Sequence, residues 1–305
     1  MQLDVPTDIT IGYKIRHLLL TETYRVMSNS NIYLPYFDKL LEKFRQGDTE
    51  TMQAFGRHVH WGYWENPKKA DGSVSDFVAA AENLCQRVCD AASVKDGAKL
   101  LDVGCGFGGT IASLNERITN TVLVGLNIDE RQLIRARSEI KASNYNQIEF
   151  IQGDACQLPF EDASFDVVLA VECIFHFPSR ELFFQEAKRV LKPGGRLALS
   201  DFVPIPLAYH LMNLVGQVIK SPVGETYGRV DSRFTLNDYR KLAQKTGFSI
   251  LDEEDITVKT LPTYPIVKRI FEQMGGEIDR KSTADVELVS NLGLLRYLIL
   301  SFQSV

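Results

Sequence analysis

The period of the apolar positions changes along the chain. In YLPYFDKLLEKFRQ, Leu34, Phe37, Leu40, Leu41 and Phe44 recur at spacings of three and four, the signature of an amphipathic helix. An aromatic cluster, HVHWGYWENP, separates it from a second helix, SVSDFVAAAENLCQRVCDAA, which opens after Gly72 with Ser or Asp as its N-cap. Then the texture alternates. KLLDVGC, TVLVGLNI, IEFIQGD, FDVVLAVE and GRLALSDF are runs of strand length, dominated by Val, Leu and Ile. TIASLNERI, DERQLIRARSEIKAS and SRELFFQEAKRVLKP between them have helical texture. Such alternation, with strands apolar on both faces, predicts a parallel sheet covered by helices on each side. An apolar stretch, LAYHLMNLVGQVI, follows and reads as a lid packed over a pocket. TLNDYRKLAQKTG is a further helix, and FSILDEEDITVKTL and LLRYLILSFQ are the last two strands. The expected organisation is a helical cap and lid over residues 1–95, an α/β core over 96–204, a lid insertion over 205–235 and the rest of the core over 236–305.

Composition narrows the class. The 45 % hydrophobic and 24 % charged fractions are those of an ordinary globular protein. A formal charge of 34 − 39 = −5 with dispersed Lys and Arg argues against binding a phosphate backbone, so no nucleic-acid partner is expected. No run approaches the ~18 apolar residues of a membrane helix, so stable membrane insertion is not expected. The opening MQLDVPTDITIGYK lacks a basic region followed by an apolar one, and the five scattered cysteines do not resemble a disulfide framework. The expectation is a reduced, cytoplasmic protein. Cys85 and Cys89 share a helix face, but no His or second Cys pair follows at ligand spacing, so no metal is expected.

The most informative segment is LLDVGCGFGGT, between the first core strand and its helix. Gly104, Gly106 and Gly109 satisfy G-x-G-x-x-G, a tight turn that lets the backbone, including Cys105, approach a ligand. A nicotinamide dinucleotide would fit that pattern, and the chain would then be an oxidoreductase. Asp102 argues otherwise. A carboxylate two residues before Gly104 repels a pyrophosphate and attracts a ligand ending in an ammonium, as S-adenosylmethionine (SAM) does. The second strand ends at Asn127 and Ile128, where a ribose-binding acid is expected; Asn127 offers an amide instead, with Asp129 and Gln132 just beyond. Asp154 and Ala155 close the third strand, where an acid accepts from an adenine amino group.

Taken together, LLDVGCGFGGT, VGLNIDERQL, FIQGDACQLPFEDASFDVVLAVECIFHF and EAKRVLKPGGRLALSDF resemble the class I SAM-dependent methyltransferases over residues 98–203. The resemblance implies a Rossmann-like, mostly parallel seven-stranded sheet with a reversed last hairpin, a helical N-terminal cap and a helical insertion after strand five. HWGYW and that insertion are similar to the small-molecule O-, N- and C-methyltransferases of natural-product and lipid pathways, whose members often carry Ser, Thr or Asn for the ribose acid and Gln five residues on. Asn127 and Gln132 fit that variant. The implied cofactor is SAM, with S-adenosylhomocysteine (SAH) as product, and the implied partner is a small-molecule acceptor.

Methyl transfer is a one-step displacement that needs alignment and dryness. A hydroxyl acceptor also needs a base, since a free phenol has a pKa of about 10. His176, after strand four, is the expected base for O-methylation, with Asp201 at the end of strand five orienting it. Glu172 is expected to reach the cofactor through its backbone and an N-terminal residue through its side chain. His60, Trp61, Tyr63, Trp64, Tyr209 and His210 are candidate lid or substrate contacts. N- or C-methylation stays open, as does a SAM-binding module without catalysis, and the chain does not disclose its oligomeric state.

Overall fold

The computed structural model describes residues 33–208 and 222–305. Its centre is a sheet of seven strands: β1 (Lys99–Val103), β2 (Val122–Asn127), β3 (Gln147–Gln152), β4 (Phe165–Val171), β5 (Leu191–Pro204), β6 (Phe248–Asp255) and β7 (Leu295–Ser304). The order is β3-β2-β1-β4-β5-β7-β6, with β1 to β5 parallel and β7 antiparallel to both neighbours. This is the expected Rossmann-like sheet with its reversed hairpin. The chain winds outward in both directions from β1 and β4, so their carboxyl ends diverge and open a crevice between their loops.

Local signals account for the helices. Before the sheet come α1 (Pro35–Arg45), α2 (Thr49–Phe55) and α3 (Val74–Ala91), the last capped by Ser73, whose hydroxyl accepts from Asp76 N at 3.1 Å. Within the core, α4 (Gly109–Arg117) follows the glycine turn, α5 (Glu130–Glu139) is capped by Asp129, and α6 (Arg180–Val190) by Ser179. After the core come α7 (Val223–Tyr227), α8 (Leu236–Thr246, with a Thr235–Asp238 capping box), α9 (Thr257–Thr260), α10 (Thr263–Gln273) and α11 (Glu277–Asn291).

Three apolar clusters organise the interior. One lies between the sheet and α6 and α8, with Leu199, Phe183, Phe184 and Tyr239. A second lies on the opposite face, where α3, α4 and α5 bring Leu84, Ile111 and Leu133 against Leu100, Leu123 and Leu169. The third is the cap: Phe37 and Leu40 of α1, Phe55 of α2 and Phe77 of α3 pack on Ile266, Ile270 and Phe271 of α10.

Two expectations change. The strand read as far as Leu261 stops at Asp255, whose carboxylate takes the N–H and hydroxyl of Thr257 and turns the chain into α9. The segment between the last two strands serves two layers: Tyr264 of α10 packs in the cluster on the sheet, while Ile266, Ile270 and Phe271 join the cap cluster. The apolar stretch expected to form a lid falls mostly within 209–221, so its placement, with that of Tyr209 and His210, lies outside the described residues.

Candidate active site

β1 delivers Asp102 to the crevice. Its register partners are Gly125 of β2 and Leu169 of β4, so its carboxylate sits deep in the sheet, 1 % exposed. Burial pushes its pKa up to about 8 against a hydrogen bond from Thr110, and Oδ2 has no hydrogen-bond partner among the described residues. A buried acid with an open oxygen is costly alone and complementary to a cation. At Gly104 the chain turns with φ +69°, and an added Cβ would lie 2.7 Å from Cys173 Cβ, so the β1 and β4 loops can meet only through a glycine. Gly106, at φ +56°, meets nothing closer than 3.8 Å. That gap leaves room for a ligand against the backbone.

At the end of β2, Asn127 Nδ2 donates to Gln132 Oε1 at 3.0 Å, and both side chains are buried. Gln132 Nε2 also reaches Asp129 Oδ2 at 3.5 Å, so the pairing leaves Asn127 Oδ1 to accept and one Nε2 hydrogen of Gln132 to donate, a complement to ribose hydroxyls. Asp129 is committed elsewhere: its two oxygens take Arg131, which also reaches Asp38 of α1 at 2.8 Å. Ile128 is 41 % exposed beside this edge. Asp154 Oδ1 accepts from Cys156 N at 2.8 Å and shapes the β3 loop, with Ala155 and Leu158 buried behind it.

The β4 edge is built differently. Glu172 adopts φ +50°, and its N–H donates to Ser200 Oγ at 3.0 Å. Its Oε2 accepts from Trp61 N at 2.9 Å and from the Tyr297 hydroxyl, while burial lifts its pKa to about 8. The side chain thus clamps the strap of residues 58–64 onto the sheet. Beyond it opens a cavity whose walls include Tyr36, Trp61, Phe175, Phe202 and Phe271. His60, Glu172 and His176 also line it.

His176 Nδ1 donates to the Arg229 carbonyl at 3.0 Å, which leaves Nε2 as the acceptor, 3.4 Å from the Tyr36 hydroxyl. Burial lowers the ring's pKa to about 4, so it stays neutral at ordinary pH.

The expected His176–Asp201 pair does not form. Asp201 Oδ2 accepts from Arg180 at 3.0 Å and from Tyr239 at 2.5 Å. The reason is strand alternation: Ser200 faces Tyr297 and Glu172, and the next residue of β5 points to the other face, toward α6 and α8. Tyr63 and Trp64 also lie away from the cavity walls. Tyr63 OH donates to Glu65, and Trp64 Nε1 donates to Asp76 at 2.8 Å, anchoring the strap on α3. Three groups absent from the sequence reading join the site: Tyr36, Tyr297 and the Arg229 carbonyl. The first two had no distinguishing signal, and a backbone oxygen has none by nature.

Residues 101–199 match a methyltransferase domain family. The chain is 32 % identical over 238 residues to methyltransferase GfsG of Streptomyces halstedii, covering 78 % of this chain and 80 % of that one. It is 33 % identical over 222 residues to the 27-O-demethylrifamycin SV methyltransferase of Amycolatopsis mediterranei, covering 72 % and 77 %. The chain belongs to the SAM-dependent methyltransferases acting on small molecules. Its fold is shared with geranyl diphosphate C-methyltransferase from Streptomyces coelicolor, solved with Mg2+, geranyl diphosphate and SAH (TM-score 0.66, 17 % identity, 85 % of this chain and 98 % of that one). In this methyltransferase the open oxygen of Asp102, the turn at Gly106 and the Asn127–Gln132 pair fit the cofactor's ammonium, backbone and ribose. Bound SAM supplies an electrophilic methyl group, and the chain's task is to hold it in line with an acceptor and keep water out.

Proposed function

We propose that this methyltransferase O-methylates a neutral, largely apolar small molecule, with His176 as the general base. The observation that carries this reading is the tautomer set by Arg229: Nδ1–H is spent on a backbone carbonyl, and the Nε2 lone pair is left beside the cavity. A base of pKa about 4 cannot ionise a free phenol beforehand. It need not, because the hydroxyl becomes a strong acid as its oxygen bonds the methyl carbon, so proton transfer accompanies or follows displacement. The lowered pKa keeps the lone pair available through neutrality. The cavity walls favour a neutral acceptor. Among the described residues they carry no Lys or Arg side chain to neutralise a phosphate or carboxylate, and they carry the buried acid Glu172. The rifamycin-type relative, whose name specifies a 27-O-demethyl acceptor, agrees with oxygen as the nucleophile.

The test is methyl transfer from SAM to a panel of neutral phenols and alcohols, read by a mass increase of one methylene. His176→Ala is expected to bind SAH within about twofold of wild type and to lose ~10²–10⁴ in transfer rate. An unchanged rate removes the base assignment. Wild-type activity is expected to be flat between pH 6 and 9 with respect to this group, falling only toward its pKa of about 4.

Methylation at carbon is the second reading, and Glu172 favours it: its carboxyl lies in the cavity wall and, in its ionised form, would stabilise a carbocation formed on an alkene. Its two donors, Trp61 N and Tyr297 OH, already engage it, which makes oxygen the first choice. An acid-stable carbon-bound methyl group in the product would reverse that order.

A further inference from the structure

Beneath the strap lies a buried chain of polar groups with no role in the mechanism above. Glu82 of α3 meets His58 Nε2 at 2.9 Å, His58 Nδ1 meets His60 Nε2 at 3.1 Å, and His60 Nδ1 meets the Trp61 carbonyl at 2.9 Å. Both imidazoles are over nine-tenths buried.

The ends of this chain fix its proton count. The Trp61 carbonyl can only accept, so His60 Nδ1 carries a hydrogen. Glu82 also acts as an acceptor: its Oε1 takes the Ser113 hydroxyl and Gln86 Nε2, and Arg57 Nε lies 3.3 Å from Oε2. His58 Nε2 therefore carries a hydrogen. The central link needs one more, on either His58 Nδ1 or His60 Nε2. Three links need three protons, and two neutral imidazoles supply two. We infer that the His58–His60 pair holds one extra proton, seated on His58 against Glu82, and that Glu82 and His58 are positioning residues for methyl transfer.

Burial pulls both rings below the ordinary imidazole value, most strongly His60, with the Glu82 contact opposing it at His58. The carboxylate contact favours His58 as the seat. The other charged groups facing the pair are Arg57 just before the strap and Glu116 on α4, joined to each other by two hydrogen bonds of 2.9 Å, and Arg117, which reaches Ser113. Cys85 of α3 is the remaining titratable neighbour.

The proton acts through Trp61. With it, the Trp61 peptide is held at both ends, its carbonyl by His60 and its N–H by Glu172. Without it, one link becomes a meeting of two lone pairs, either His58 Nδ1 against His60 Nε2 at 3.1 Å or His60 Nδ1 against the Trp61 carbonyl at 2.9 Å, and either repulsion loosens His60 beside the cavity wall. The cofactor turn is coupled as well. An added Cβ on Gly109, the first residue of α4, would lie 2.5 Å from His58 Nδ1 and 2.4 Å from the Arg57 carbonyl, so the pair is seated directly on the helix behind the glycine loop. This inference does not depend on whether the acceptor atom is oxygen or carbon.

The experiment is nitrogen NMR of the full-length protein labelled at histidine, at pH 8, where an ordinary imidazole of pKa about 6.5 is almost wholly neutral. One imidazole with both nitrogens protonated is expected, absent from His58→Gln and from Glu82→Gln. Singly protonated rings throughout the wild type, or a doubly protonated signal that persists in His58→Gln, would overturn the proton assignment. Glu82→Gln is expected to weaken SAH binding about tenfold by calorimetry; wild-type affinity would overturn the positioning role. Should that variant fail to fold, the wild-type spectrum still decides the proton count.

Discussion

The two edges of the site both bury carboxylates at strand ends, and they treat them in opposite ways. On the cofactor edge, Asp102 keeps an oxygen with no partner. On the acceptor edge, Glu172 receives Trp61 and Tyr297, and on the sheet face behind that edge Asp201 receives Arg180 and Tyr239. The first arrangement is incomplete without a ligand. The second gives each acid donors from the protein itself, a cation in the case of Asp201 although its Oδ1 is also open, and serves to hold walls in place. Burial and an open oxygen are shared by Asp102 and Asp201; what sets Asp102 apart is that, among the described residues, no cation pairs with it.

Asp201 offers the sharpest way to break this contrast. Asp201→Ala is expected to cost about 3–5 kcal/mol of stability, because it strands the buried Arg180 guanidinium with only Asp231 as a counter-charge. Denaturant unfolding measures this. A variant of near-native stability that instead lost methyl transfer would restore Asp201 to the chemistry.

Asp102→Asn comes next and probes the open side. SAH affinity is expected to fall about 100-fold, the scale of losing a buried charge-assisted hydrogen bond. Stability is expected to hold or rise, since a poorly satisfied acid is removed. The pH dependence has a definite sign. Burial raises the folded pKa to about 8, above an unfolded value of about 3.9. Between those values the folded chain retains a proton that the unfolded chain has released, so the group's contribution to stability is intact below the lower value and is lost as pH rises through the upper. Melting scans of wild type and Asp102→Asn should therefore diverge in favour of the variant from pH 5 to 9. SAM binding, which draws on the ionised carboxylate, should strengthen in the wild type over the same rise. Parallel melting curves would mean that Asp102 is already satisfied.

The two edges also differed in how far the chain disclosed them. Asp102, Gly106, Asn127, Gln132 and Asp154 lie at or just after the ends of strands whose apolar runs are unambiguous, and the contacts of Asn127, Gln132 and Asp154 are with neighbours within a few residues. Short-range determinants survive a reading in one dimension. The acceptor cavity draws on residues from Tyr36 to Leu295. Tyr36 and His176 are 140 positions apart, and their meeting depends on where α1 settles. Ile266, Val267, Ile270 and Phe271 do carry helical periodicity, so α10 was readable as a helix, but nothing local assigns it to the cap. The expected Asp201–His176 contact came from strand adjacency, which is correct. It failed on side-chain direction: the register places Val171 against Ser200, and the following residue alternates to the far face.

The smallest predicted effect tests whether the two edges are linked at all. Arg131 bridges Asp129, the cap of α5 behind the Asn127–Gln132 pair, to Asp38 of α1, which carries Tyr36 and Leu40 into the cavity wall. The guanidinium is half-exposed, so solvent screens it, and Arg131→Ala should lower stability by under about 1 kcal/mol. Its effect on ligands should be uneven. The Asn127–Gln132 hydrogen bond does not involve Arg131, so SAH affinity is expected to change less than about threefold. Acceptor KM should rise more than that, because α1 loses an ionic tie to the cofactor edge while keeping its apolar packing through Phe37 on Phe107. If both constants move together, α1 belongs to the cofactor site as much as to the acceptor cavity, and the division drawn between the two edges would have to run behind it.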